Sequence, residues 1–356
     1  TILPASLFSG CGYLKTFDLK NIQKTIGYCF YNCSSLDNII LPSTLVEIGG
    51  HTFQGCASLK NVSSSSITLK IGESIFSYCT NLEYIDLSNW TLTDNLNVDY
   101  LFQNCYKLSK LKLPNNINKF GKYCFCNCTS LTSITIPSTV NSLGKGCFEE
   151  CTGLTSVTFA QNAQGGTSIE TLEDNCFQSC TALTGINLPN SITSLGERSF
   201  NGCSNLVNVT LSSGLSVINT SCFRLTKIEE IYIPSNIKSF KEECFGFCYS
   251  LKEVTGCEGV KNYYNTVFAY CTNLVKVEGC QSVTSLGAKD FWNCSKLENL
   301  NFNWSKLTYI GSYCFQNCTS LDVPIDNDIR TVHLKSNCEL GETPFADSGI
   351  KVIKDL

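Results

Sequence analysis

Phe125-Cys-Asn-Cys128-Thr-Ser-Leu131-Thr-Ser-Ile134-Thr-Ile136-Pro137 runs on through Val140 and Leu143-Gly144 to Cys147-Phe148, where the pattern begins again. The stretch from Phe30 to Phe53 has the same frame, with Cys33, Leu36, Ile39, Leu41, Pro42, Leu45 and Ile48-Gly49. Working outward, fifteen Phe stand in register, at 8, 30, 53, 76, 102, 125, 148, 177, 200, 223, 245, 268, 291, 315 and 345. Eight of the fourteen intervals are 23 residues, and thirteen of these Phe carry a Cys three positions later. So short a period, repeated this often, specifies a solenoid. Its core grows one unit at a time, so 356 residues need not divide into several globular domains. The expectation is one array, residues 1–356, of about fourteen units 22–30 residues long.

Each position in the unit has a physical task. With Phe as zero, apolar residues at +6, +9 and +11 fit a turn entering a short strand, whose +9 and +11 side chains share the core face. Pro near +12 (Pro42, Pro114, Pro137, Pro189, Pro234) donates no ladder hydrogen bond and should end that strand. Gly near +19 (Gly49, Gly72, Gly144, Gly311) suits a corner of unusual backbone conformation. The Cys/Phe segment that follows is expected to close the coil as a short helical or 3₁₀ turn.

This unit resembles the leucine-rich repeat in its BspA-like form, L-x-x-I-x-I-P followed by V-x-x-I-G-x-x-A-F-x-x-C, over essentially the whole chain from Phe8 to Val352. The resemblance implies an α/β-type right-handed superhelical solenoid with a curved parallel β-sheet on its concave side and short helical or 3₁₀ turns on the convex side. Three departures stand out. Seven units place Cys before Phe where the family commonly has Ala: Cys29, Cys124, Cys147, Cys176, Cys222, Cys244 and Cys314. The units starting at Phe76, Phe148 and Phe315 are stretched to 26, 29 and 30 residues, and those at Phe223 and Phe345 carry Thr226 and Ser348 in place of the +3 Cys.

Most of the 24 Cys therefore belong to the repeat. Cys is small and readily buried, so a stacked thiol ladder is the leading reading. A rival reading has scattered disulfides, Cys257 with Cys280 being the best-placed pair because they lie 23 residues apart at equivalent positions. C-F-x-x-C lacks the spacing of a zinc knuckle, and the two His, His51 and His333, are far apart, so no metal site or cofactor is expected; Cys124, Cys126 and Cys128 are the one local run worth checking. A mostly reduced inventory leaves the compartment open.

Charged residues are 16% of the chain and the net charge is -4, which gives no electrostatic footprint for nucleic acid. No stretch approaches a membrane span, and no paired acids, phosphate loop or base-activated nucleophile is found, so an enzyme is not expected. The chain opens and closes inside repeats, which reads as a fragment of a longer protein.

Binding is expected on the strand face and in the loops. At +7, +8 and +10 the exposed side chains form a hydroxyl plateau, Thr132, Thr135, Thr155 and Thr158, flanked by Lys110, Lys112 and Asn187, with Tyr84 and Tyr232 as aromatic contacts. Asn89-Trp90-Thr91 places an indole in a loop, and Ala160 to Ser168 reads as a flexible polar loop. Nine N-x-S/T sequons occur, four of them the repeat's own N-C-S/T.

The resemblance to BspA-like proteins, which include microbial adhesins, implies a surface or secreted module binding a protein or glycoprotein ligand. An intracellular (cytoplasmic) protein-protein scaffold of the same fold is the alternative, and a thiol- or metal-handling protein a third reading.

Overall fold

The computed structural model describes residues 1–93 and 98–355. Two compact units, Thr1–Leu183 and Thr184–Leu356, make up the chain. Each is a stack of coils with the same three sides, and among the described residues there is no α-helix.

The first side is a strand at +8 to +11, as the alternation predicts. Asn38–Leu41 and Ser133–Ile136 are exposed at their first and third residues and buried at their second and fourth. Successive strands pair in parallel and in register: Ile134 lies beside Val157 in the first unit and Ile231 beside Val254 in the second. The second side is a shorter ladder whose second residue is buried, seen at Lys119–Phe120 with Ser142–Leu143 and at Ser285–Leu286 with Tyr309–Ile310.

The third side carries the Phe column. In the first unit Phe125 and Phe148 stack at 5.1 Å, and in the second Phe200 and Phe223 stack at 5.4 Å. All four are fully buried. Each such ring contributes roughly 1.5–3 kcal/mol by leaving water.

This Phe side is neither an α-helix nor a continuous 3₁₀ helix. Two hydrogen-bonded turns follow one another, as where Tyr31 N–H donates to Tyr28 O and Cys33 N–H donates to Phe30 O. Left-handed residues separate them. In every one of the fifteen coils the residues two before and two after the Phe have φ between 35° and 75°. Gly fills four of these thirty places; the others are ordinary residues such as Tyr28, Arg198, Leu225, Phe247 and Lys289. A left-handed non-Gly residue costs about 1 kcal/mol or more. Bonds to the next coil hold it: Tyr28, Phe30 and Asn32 N–H groups donate to Gly50, Thr52 and Gln54 carbonyls at 2.8–2.9 Å. Asn tolerates this conformation well, which accounts for the recurrent N-C-S/T: Asn32, Asn127, Asn293 and Asn317 all sit in the second left-handed place.

Among the described residues the three 3₁₀ helices lie elsewhere. Cys257–Gly259, Cys280–Ser282 and Trp304–Lys306 occupy the corner after the first strand, where five other coils have Pro.

The repeat glycines also differ from expectation. Gly49, Gly72, Gly144 and Gly311 have no positive φ; they are small because neighbouring backbones touch there. A Cβ on Gly144 would stand 2.6 Å from the Gly121 carbonyl carbon, and one on Gly49 2.5 Å from Gly27 N.

Apart from the exposed Cys11, the +3 cysteines are buried as a ladder, and eleven of them bond a specific partner. Cys33, Cys56, Cys79, Cys105, Cys128, Cys151 and Cys180 donate S–H to the carbonyl of the Phe one coil earlier, at 3.0–3.3 Å. Cys248, Cys271, Cys294 and Cys318 do the same in the second unit, at 3.0–3.1 Å. Where Cys is missing, Thr226 and Ser348 hydroxyls turn back onto their own Phe223 and Phe345 carbonyls. The structure holds no disulfide among the 24 cysteines, and only Cys11 is exposed. Burial pushes ladder thiols such as Cys33 up to about 11 and Cys318 up to about 12, so these stay protonated and unreactive.

Candidate functional site

The strand face brings Tyr84, Lys110 and Lys112 together. Tyr84 is the register partner of Lys110, and Asp86 that of Lys112. Asp86 joins them: its carboxylate accepts from the Tyr84 hydroxyl at 2.9 Å and from Lys112 Nζ at 2.8 Å, and again from the Ser88 backbone N–H and hydroxyl. The Lys112 ammonium first, then Ser88, holds the Asp86 carboxyl well below the usual carboxylate range, while Asp86 pushes Lys112 up. Three side chains on two strands thus form one preorganised polar group, with Lys110 beside it and not part of it. The strand period places Asp86 on the exposed face beside Glu83 and Tyr84, but it was not among the candidate binding residues.

One pair of strands further along the chain lies the hydroxyl plateau. Thr135 and Thr158 are register partners, and the Thr155 hydroxyl donates to Thr132 O at 2.8 Å. All four are exposed. Thr is favoured here by its strand propensity, and only Thr155 among them uses its hydroxyl in a side-chain bond given by the geometry.

Asn187 and Tyr232 belong to the second unit, on the Gly185–Asn187 and Glu230–Tyr232 strands, beside Thr210 and Thr255. Tyr232 is 65% exposed, the most open aromatic on a strand of this side in the second unit. Around it the face is charged, with Glu229 paired to Lys252 at 2.7 Å and Glu278 to Lys276 at 2.9 Å.

Trp90 is not a loop contact. It is 3% exposed, in the Trp90–Leu92 strand, paired in parallel with Ile67, and its indole N–H donates to Ser64 Oγ at 2.9 Å. The cause is visible in the chain: Trp90-Thr-Leu92 repeats Ile67-Thr-Leu69 after 23 residues, with the same inward alternation. The rest of that stretched unit includes 94–97, which lie outside the described residues. Nor is 160–168 an open tether: Asn162 Oδ1 accepts from Gln164 and Gly166 N–H, both at 3.0 Å, and closes a tight turn. The third stretched unit holds a hairpin, Ile325–Asp326 against Ile329–Lys335, pinned by Arg330 donating to the carbonyls of Thr319, Leu321 and Ser348.

A second, half-buried aromatic surface was not anticipated. On the Phe side of the second unit Phe247 stacks on Tyr270 at 5.0 Å and Tyr270 meets Trp292 at 4.8 Å, with Arg224 over Phe247 and Lys289 over Trp292. Aromatic residues recurring at 23-residue spacing, 247 and 270, were the available signal.

Cys124 and Cys128 enter the core on either side of Phe125, and the Cys128 thiol is taken by the Phe102 carbonyl. Among the described residues no three His, Cys, Asp or Glu side chains converge as metal ligands, and no helix is long and apolar enough to cross a membrane.

The stacked coils, the in-register strand face and the Phe column define a leucine-rich repeat solenoid. The family model for the BspA type leucine rich repeat region matches residues 1–98, 96–169, 170–298 and 259–354, and the chain belongs to that family. Its fold is similar to that of a leucine-rich repeat protein from Bacteroides ovatus, with TM-score 0.62 and 20% identity over 99% of this chain and 92% of that one. A leucine rich cell surface protein from Faecalibacterium prausnitzii aligns with TM-score 0.49 and 21% identity over 86% of this chain and 84% of that one. No curated protein matches the sequence.

Proposed function

We propose that this chain is a non-enzymatic recognition module of a microbial cell surface, an adhesin-like array that binds a protein or glycoprotein through its strand face. The observation that carries the reading is the exposed polar register itself: Thr132, Thr135, Thr155 and Thr158 beside the Tyr84–Asp86–Lys112 group. It is held rigid by the ladder beneath and left open above. Many weak contacts along such a face sum, and many copies on one surface would add avidity. Membership in the BspA type supports the surface location. The alternative, a cytoplasmic scaffold, draws on 24 cysteines with no disulfide among them.

The test is adhesion of the chain to immobilised extracellular-matrix glycoproteins. Thr132→Glu with Thr155→Glu should keep the fold, since both side chains face solvent, and should abolish adhesion. Retained adhesion by that variant, with loss on deleting 160–168, would move the site to the loop. A signal peptide in the full-length gene would favour the surface over the scaffold.

A further inference from the structure

The ladder cysteines spend their S–H groups on Phe carbonyls, but two cysteines outside the ladder face each other. Cys257 and Cys280 open two successive 3₁₀ corners of the second unit, each preceded by a left-handed glycine, Gly256 at φ 82° and Gly279 at φ 85°. The strands leading into these corners are in register, Val254 beside Val277. Cys257 N–H donates to Glu278 O at 3.1 Å, which ties the two corners directly. Both side chains are fully buried. The Cys280 S–H points to the Val277 carbonyl at 3.6 Å and the Tyr263 hydroxyl, also buried, lies 3.4 Å from the same sulfur, while the nearby Cys280 side chain and burial together push the Cys257 thiol up. Equivalent residues of adjoining parallel strands sit about 4.8 Å apart, inside the roughly 4.4–6.8 Å between Cα atoms that a disulfide spans.

We propose that Cys257 and Cys280 are the oxidisable pair of this chain, closing a disulfide between consecutive coils when the protein folds under oxidising conditions. The oxidant is a low-molecular-mass disulfide. The Cys257 thiolate attacks one of its sulfurs, forming a mixed disulfide and releasing one small thiol; the Cys280 thiolate then attacks the Cys257 sulfur and releases the second. Two protein S–H bonds become one S–S bond, the small disulfide is reduced to two thiols, and these take the two protons. Because both sulfurs are buried in the folded coil, exchange runs while the corner is still open. The closed bridge leaves Tyr263 a sulfur to donate to, and it staples the corner whose Cys280 N–H is bound by Asn301.

The full chain, unfolded in urea and refolded with oxidised and reduced glutathione, is alkylated, digested and analysed by mass spectrometry. A linked peptide pair joining Cys257 to Cys280 is expected, with free thiols falling by two from 24. Oxidised wild type should melt a few degrees above the reduced form, a difference that Cys280→Ser, folded by circular dichroism, should lack. Twenty-four alkylated thiols after oxidative refolding, or bridges among the ladder cysteines with Cys257 and Cys280 alkylated, would overturn the proposal.

Discussion

The sulfur of Cys128 stands 3.2 Å from the carbonyl oxygen of Phe102, one coil earlier. That oxygen also accepts Cys105 N–H at 3.1 Å, so the thiol supplies its second bond. Cys128→Ala should cost about 1–2 kcal/mol in urea unfolding, through the lost bond and a small cavity, whereas Cys128→Ser should cost less. Equal stability of the Ala variant would reduce the ladder to space-filling.

Accessibility separates one thiol from the rest. Under reducing conditions a thiol reagent should label the native chain rapidly at Cys11 alone, and the denatured chain at all 24 positions. Burial protects the others, and at positions such as Cys33 and Cys318 the raised thiol pKa adds to it. Rapid native labelling of Cys128 or Cys151 would mean that the coils open readily.

The two kinds of glycine predict opposite severity. Gly144→Ala drives a methyl into the Gly121 backbone and should cost about 3 kcal/mol or prevent folding. Gly165→Ala, at φ +77° with nothing within 4 Å, should cost only about 1 kcal/mol. Comparable melting temperatures for the two variants would refute the close-approach account.

Asp290 is fully buried, directly before Phe291, with its carboxylate accepting Val267 and Gly287 N–H. Desolvation raises its pKa well above the ordinary 3.8. A raised folded value means the stability it contributes is complete below about pH 4 and is lost as pH rises through the folded pKa. Stability of Asp290→Asn relative to wild type should therefore improve steadily from pH 4 to pH 7.5 in denaturant titrations. A pH-independent difference would show that the two backbone donors offset the burial.

Leu225 sits at φ 60° with 37% of its surface exposed. Leu225→Asn keeps the geometry and removes most of the left-handed penalty, so it should stabilise by about 0.5–1 kcal/mol. A lower melting temperature would show that the Leu side chain packs more than its exposure suggests.

How far these features could be read in advance depended on whether the side chain or the backbone decided them. Phe, Ile and Leu at fixed spacing betray the core because burial selects on side-chain type, so the strands and the Phe column were legible. Trp90 misled because a stretched unit hid its kinship with Ile67. Gly144 was rightly singled out for the wrong reason, since close approach and left-handed conformation both select glycine. The left-handed places at Tyr28, Arg198 and Leu225 left no trace at all, because tertiary hydrogen bonds impose a conformation those residues do not prefer. On the strand face, strand period alone placed Tyr84, Asp86, Lys110 and Lys112 at exposed positions, while the bonding of Asp86 to Lys112 could be seen only from cross-strand register.

The left-handed places carry a last consequence. What bends the chain at a corner is the neighbouring coil, so instructions for the bend are not written in the residue that makes it. Such positions are free to vary: Tyr, Asn, Ser, Arg, Leu, Glu, Phe and Lys all serve. The Phe side is thereby a printable surface, rewritable one letter at a time while the path of the chain stays the same.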